Sequence, residues 1–318
     1  MQSLIEKPRY HGSVAASTAL SLASSLKVLT SHLVVALIAL VAIGGATRVM
    51  EAGLACPDWP LCYGVLLPGR QMNARVFLEW FHRLDAFLVG LALLALLLAS
   101  VLGRRHLPSW LPGLSLLSVT LVALQGILGA LTVTGLLAAP TVTAHLATAL
   151  VLLLLVSGLD QGLTENGPSQ ASPVWWGLLP LLPAAIVLAQ CVLGGAMASQ
   201  WAVDHCFDSG SQCDLVWRHR QLAGPAALSM LALAAAQWLS PWSDPLSRGL
   251  ASGGAGLVGL QVVLGLLTLQ AQLEWPWLTV GHQLVAALLV ATLGALSGRG
   301  LRSVFGRSSL PSLKVTCG

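Results

Sequence analysis

Four histidines recur at a matched spacing. His82 and His145 lie 63 residues apart, as do His219 and His282, and each member of the second pair follows its counterpart by 137 residues. Their surroundings repeat too: His82-Arg83-Leu84 is echoed by His219-Arg220-Gln221, and Ala144-His145-Leu146 by Gly281-His282-Gln283. Imidazole ligates iron well, and two imidazoles projecting from neighbouring helices can hold a haem between them. Zinc fits less well, because a structural zinc site wants four close ligands and these histidines divide into pairs. His11, His32, His106 and His205 have no counterpart at the repeat spacing and are read as incidental.

The elements that carry these side chains are set by composition. The chain has 318 residues, 56% of them hydrophobic and only 9% charged. So few charges cannot cover a water-exposed surface. A bilayer core of about 30 Å takes roughly 20 helical residues, and backbone polar groups in lipid must be satisfied within the segment. Apolar runs of that length predict eight transmembrane helices, over about 30–50, 78–101, 113–135, 141–160, 174–199, 216–240, 250–272 and 277–297. Each histidine opens an even-numbered span, so all four are expected at one leaflet. An intramembrane histidine is costly without a partner and marks function by default.

With both termini inside, the inner segments hold Lys7, Arg9, Lys27, Arg104, Arg105, Arg248, Arg299, Arg302, Arg307 and Lys314 against Glu6, Asp160, Glu165 and Asp244. The outer side holds the remaining six basic and eight acidic residues. This asymmetry predicts an N-in, C-in multi-pass protein of the inner (plasma) membrane or an equivalent energy-transducing membrane. The net charge of +4 is a topology signal, and no basic patch suggests nucleic acid.

The halves align span by span. Gln125-Gly126-Ile127-Leu128-Gly129 resembles Gln261-Val262-Val263-Leu264-Gly265, and Gly44-Gly45-Ala46 resembles Gly194-Gly195-Ala196. Four spans per repeat insert both halves the same way up. The expected fold is all-α: two tandem four-helix bundles related by a pseudo-two-fold axis along the membrane normal. The expected division is a cytoplasmic tail (1–28), an N-terminal bundle (29–160), a Gly/Pro/Ser-rich linker (161–173), a C-terminal bundle (174–297) and a cytoplasmic tail (298–318). The span glycines are read as packing residues.

The halves differ where chemistry would need them to. Glu79 precedes His82 by one helical turn, whereas the position 137 residues later is Val216; Asp85 likewise corresponds to Leu222. A carboxylate beside a bound haem can stabilise developing positive charge or take a proton. The first bundle is therefore expected to do chemistry and the second to hold a resident haem. Arg83 and Arg220 could pair with haem propionates or anchor the interface. Cys56 and Cys62 share the first outer loop, and Cys206 and Cys213 the second; two short-range disulfides are expected there, either loop staples or redox pairs. Cys191 and Cys317 have no evident partner.

These residues carry a resemblance. The stretches Gly44-Gly45-Ala46-Thr47-Arg48, Gly53-Leu54-Ala55-Cys56-Pro57-Asp58-Trp59-Pro60-Leu61-Cys62 and Glu79-Trp80-Phe81-His82-Arg83, with four histidines over eight spans, resemble the haem A synthase family across about 30–297. The resemblance implies oxidation of the C8 methyl of haem O to a formyl group, with oxygen from water. It implies that His82 and His145 ligate substrate haem, that His219 and His282 ligate a haem b cofactor, and that Glu79 is required for oxidation. It also implies haem O, membrane lipid and an electron acceptor as partners, with haem O synthase and oxidase-assembly factors as further candidates. Competing readings are a bis-histidine di-haem cytochrome that transfers electrons without modifying haem, and a transporter, which would need a polar path across the bilayer.

Overall fold

The computed structural model describes residues 11–164, 172–211 and 213–305. They form ten helices: α1 (His11–Val49), α2 (Ala74–Leu102), α3 (Leu111–Thr134), α4 (Ala139–Gly162), α5 (Val174–Leu178), α6 (Leu181–Ser199), α7 (Ala202–Ser209), α8 (Cys213–Leu239), α9 (Pro245–Gln270) and α10 (Pro276–Phe305). Eight segments are long and apolar enough to cross a bilayer, α5 and α6 together making one of them. The protein is a multi-pass, all-helical membrane protein.

Three boundaries differ from expectation, each for a polar reason. The first helix was expected from about residue 30, but α1 runs back through the Ser/Ala stretch to His11. Lys27, assigned to the tail, ion-pairs with Asp160 of α4, while Thr30 and Ser31 donate to the same carboxylate at 3.0 and 2.8 Å. At the other end, α10 continues past residue 297, so the expected tail begins as helix. Arg299 is buried there, donating to Asp244 at 2.6 Å, Ser247 at 3.0 Å and Gln161 at 3.3 Å. The fifth span is broken between α5 and α6 at Pro180, where a proline lacks the N–H that would continue the ladder. Of the expected linker, residues 165–171 lie outside the described residues, as does Cys317.

Helix starts follow their capping residues. Asn73 accepts from the N–H groups of Arg75 and Val76 to open α2, and Asp244, followed by Pro245, opens α9 in the same way. Burial alone would raise the Asp244 carboxyl, but hydrogen bonds from Ser247 and the Arg299 guanidinium hold it below the usual range.

Within the first half α1 packs on α2, α2 on α3, α3 on α4 and α4 on α1; within the second, α6 packs on α8, α8 on α9, α9 on α10 and α10 on α6. The halves meet through α4 against α10, with α1 on α10 and α4 on α6 flanking that contact. Duplication extends to the backbone. Non-glycine residues with positive φ follow α3 at Leu136 and Leu137 and follow α9 at Gln272 and Leu273; Glu51 after α1 is matched by Trp201 after α6.

The α4–α10 crossing is built on glycine. A Cβ on Gly298 would stand 2.2 Å from the Gly158 carbonyl oxygen, and one on Gly294 2.4 Å from that of Leu154. Backbones approach this closely only where side chains are missing. The flanks repeat the device: Gly45 of α1 receives Gln283 of α10, and Gly195 of α6 receives Leu146 of α4. Gly298→Ala is expected to force the two helices apart at an overpacking cost of about 1–3 kcal/mol. A lower unfolding temperature in detergent, with Gly256→Ala unchanged because nothing lies within 4 Å of its Cβ, is the measurement that checks this.

Candidate functional site

The four helices that begin at one end of the molecule present the four histidines to their bundle interiors. His145, His219 and His282 each occupy the seventh position of α4, α8 and α10, and His82 the ninth of α2. At about 1.5 Å per residue they lie roughly 9–12 Å from their helix starts. The rings of His82 and His145 are 6.5 Å apart between centroids, with planes at 73°. Two imidazoles sharing one first-row metal through bonds of about 2 Å have ring centres roughly 6 Å apart. The buried Nδ1 atoms of His82, His145 and His282 have no hydrogen-bond partner among the described residues. The residues therefore fit a metal held between paired imidazoles. Zinc finds no such support, because no group of three His, Cys, Asp or Glu side chains clusters among the described residues.

Each imidazole rests on a glycine of the preceding span. A Cβ would lie 3.0 Å from His82 Cε1 at Gly44, 3.6 Å from His145 Cε1 at Gly129, 2.9 Å from His219 Cε1 at Gly194 and 3.1 Å from His282 Cε1 at Gly265. These glycines cede the volume that the rings occupy. One turn before three of them stands a glutamine. Gln125 Nε2 donates to the His145 carbonyl at 2.9 Å, and Gln190 Nε2 to the His219 carbonyl at 2.8 Å. Gln190 also reaches His219 Nδ1 at 3.1 Å, and Gln261 reaches His282 Nε2 at 3.2 Å.

Only the first pair has an acidic neighbour. Glu79 is buried; one carboxylate oxygen accepts from the Cys56 N–H at 2.7 Å and the other from Arg83 at 2.5 Å. Arg83 donates further to the carbonyls of Asp58 at 2.6 Å, Leu61 at 2.5 Å and Cys56 at 3.3 Å. Asp58 in turn accepts from the N–H groups of Gly64 and Tyr63, which hold its carboxyl below the ordinary value. The loop bridged by Cys56 and Cys62 is thus fastened onto α2 beside His82. Asp85, one turn beyond His82, is half-buried. In the second half Val216 cannot make the pair, and Arg220 lies over the Trp217 ring at 5.3 Å. There Cys206 and Cys213 are bridged, and the stretch between them includes most of the unforeseen helix α7. Cys191 is free, as expected.

Residues 27–293 match the cytochrome oxidase assembly protein family. The chain belongs to that family. Relatives named heme A synthase include one from Sphingopyxis alaskensis, 28% identical over 84% of this chain and 89% of its own, and one from Methylobacterium nodulans, 29% identical over 82% and 88%. A third, from Shewanella oneidensis, is 31% identical over 51% of this chain, and the match spans 54% of that relative.

For this family member the sequence reading located the four histidines, Glu79 and the cysteines, and the structure brings them to one end of the molecule. It missed the seats. Gly44, Gly129, Gly194 and Gly265 were read as packing residues, and the glutamine four residues before three of them was not singled out. The signal was present, since Gln-x-x-x-Gly recurs at 125–129, 190–194 and 261–265. It also missed Arg48, whose guanidinium lies 4.9 Å over the ring of Trp201 in the other half. Gly194→Ala is expected to lower the haem content of the purified protein, since overpacking of about 1–3 kcal/mol falls on a ligand ring. Gly129→Ala, in ordinary contact distance, is expected to keep wild-type haem content in the same absorbance assay.

Proposed function

We propose that the chain is a haem A synthase, an oxidoreductase of haem A biosynthesis that converts the C8 methyl of haem O to a formyl group. Membership of the family and the names of the relatives support the activity. The observation that carries the assignment of roles is that two equivalent histidine pairs differ in one respect: the buried Glu79–Arg83 pair stands beside His82 and has no counterpart beside His219. The substrate site is accordingly the His82–His145 pair in the N-terminal half. The His219–His282 pair would hold a resident haem b, which supplies a one-electron acceptor when bound. The membrane is the energy-transducing one, with both termini inside and all four histidines toward the outer leaflet.

The overall change converts a methyl group and one water into a formyl group, releasing four electrons and four protons through a hydroxymethyl stage. Removing hydrogen from the methyl leaves positive character on the porphyrin edge. A carboxylate already fixed by two donors stabilises that charge without reorganising. Glu79 is such a group, held ionised between Arg83 and the Cys56 N–H. Its position depends on the disulfide loop, so the Cys56–Cys62 bridge acts here as a clamp on the catalytic side chain. Arg83 serves the same clamp through three loop carbonyls, and Arg220 is the remaining candidate for a propionate. The electrons leave to an acceptor outside the chain. An electron-transfer cytochrome would need both histidine pairs but not this buried carboxylate.

Extraction of haems from membranes that also make haem O, resolved by chromatography and mass spectrometry, tests the reading. Haem A or its hydroxymethyl precursor is expected only with this chain. Glu79→Ala is expected to retain bound haem while formyl product falls about 100-fold or more, the lower range for a positioned carboxylate. Formyl product at the wild-type rate in that variant would remove Glu79 from the mechanism.

A further inference from the structure

The four histidine seats are built alike except for one residue. The seat glycine is preceded, one turn earlier, by Gln125, Gln190 and Gln261 in three cases and by Leu40 in the fourth. The correspondence is fixed by register: Gly44 and Gly194 are 150 residues apart, as are Leu40 and Gln190. Residues four apart share a helix face, so each of these side chains lies beside the glycine on which the imidazole rests. The seat with leucine is that of His82.

The glutamines tie their histidines down to different degrees. In the second half both rings are contacted, His219 at 3.1 Å by Gln190 and His282 at 3.2 Å by Gln261. In the first half Gln125 holds only the backbone carbonyl of His145, at 2.9 Å. Leu40 carries no donor for His82. A metal-bound imidazole nitrogen leaves the other ring nitrogen as an N–H that seeks an acceptor, and such outer partners fix ring orientation and strengthen the ligand. The buried Oε1 atoms of Gln190 and Gln261, unpartnered among the described residues, can serve as those acceptors when the amides turn. His82 has no corresponding amide from α1.

We infer that His82 is the exchangeable ligand of the substrate site, and that the residue one turn before each seat glycine sets whether a histidine is a permanent or a releasable ligand. This rests on the assignment of the His82–His145 pair to substrate. A resident haem should stay, whereas a substrate haem must leave as product on every turnover. Two fully tied imidazoles would retain the product. One tied through its backbone, His145, and one seated on glycine alone, His82, provide a fixed side and an opening side. The opening side is also the one where α2 carries Glu79 and Arg83 into the disulfide loop, so the oxidising carboxylate and the releasable ligand share one helix.

The test uses the purified full chain carrying haem O and haem b, mixed with excess apomyoglobin. Haem transfer is followed by absorbance, and the haem left on the chain is identified by chromatography. Two phases are expected, a fast one that carries haem O and is missing in His82→Ala, and a slow one that carries haem b. Leu40→Gln, which supplies the fourth glutamine, is expected to slow the fast phase about five- to tenfold and leave the slow phase alone, the range one buried hydrogen bond accounts for. Gln125→Leu is expected to speed the fast phase by a similar factor, and Gln190→Leu to speed only the slow phase. Carbon monoxide binding to the reduced protein should follow the same order, lost in Leu40→Gln and gained at the second site in Gln190→Leu. A fast phase with equal rates in wild type, Leu40→Gln and Gln125→Leu overturns the inference while leaving the substrate assignment intact. A chain that holds no haem O, with transfer unaltered by His82→Ala, overturns both.

Discussion

The structure depends on how closely α4 and α10 can approach. These are the helices that carry His145 and His282, one from each half, and they cross backbone to backbone at Gly158, Gly294 and Gly298. In lipid no hydrophobic force drives helices together, so contact of this kind comes from packing that small residues permit. The two histidine pairs are thereby held on opposite sides of a thin common wall. If side chains of ordinary size stood at the crossing, the sites would move apart, and so would any two groups meant to exchange electrons across it.

The same economy of volume operates at each histidine. An imidazole is too large for a tightly packed helix pair unless the facing residue gives up its side chain, and Gly44, Gly129, Gly194 and Gly265 do so. Glutamine then supplies the polar contact that lipid cannot. On this common frame the halves diverge through a few substitutions: Glu79 for Val216, Leu40 for Gln190, and a loop pinned to Arg83 where Arg220 instead covers a tryptophan. One seat architecture thus serves a substrate that must be oxidised and released and a cofactor that must remain.

Much of this was legible in the sequence, because duplication converts weak signals into strong ones. A lone histidine says little, but four at a fixed register, two with Arg following, locate a site, and the alignment exposes Glu79 as the odd residue. Span number follows from hydropathy alone. What the sequence does not show is which face a residue turns to its neighbour. Glycine has no side chain to betray its direction, so packing glycines and seat glycines look the same. Lys27 and Arg299 read as tail charges because hydropathy weighs a residue by type, whereas their partners Asp160 and Asp244 are distant in the chain. The clasp of Glu79 on the Cys56 N–H is a contact across 23 residues of irregular loop, with no periodicity to announce it.

The place of α10 in the molecule bears on how the protein is made. It is the last helix to leave the ribosome and the most buried of the spans. It touches α1, α4, α5, α6 and α9, and it brings both His282 and the Arg299 that joins Asp244 to Gln161. Until translation is nearly complete, the groove between α1 and α4 lies open to lipid, the ion-pair network at the far end lacks its cation, and the second histidine pair lacks one member. Biogenesis therefore ends in a single closing insertion. A chain cut short before its final thirty or so residues would lack the centre of the fold and not merely an edge, and membrane quality control would meet it as an open half-barrel of helices.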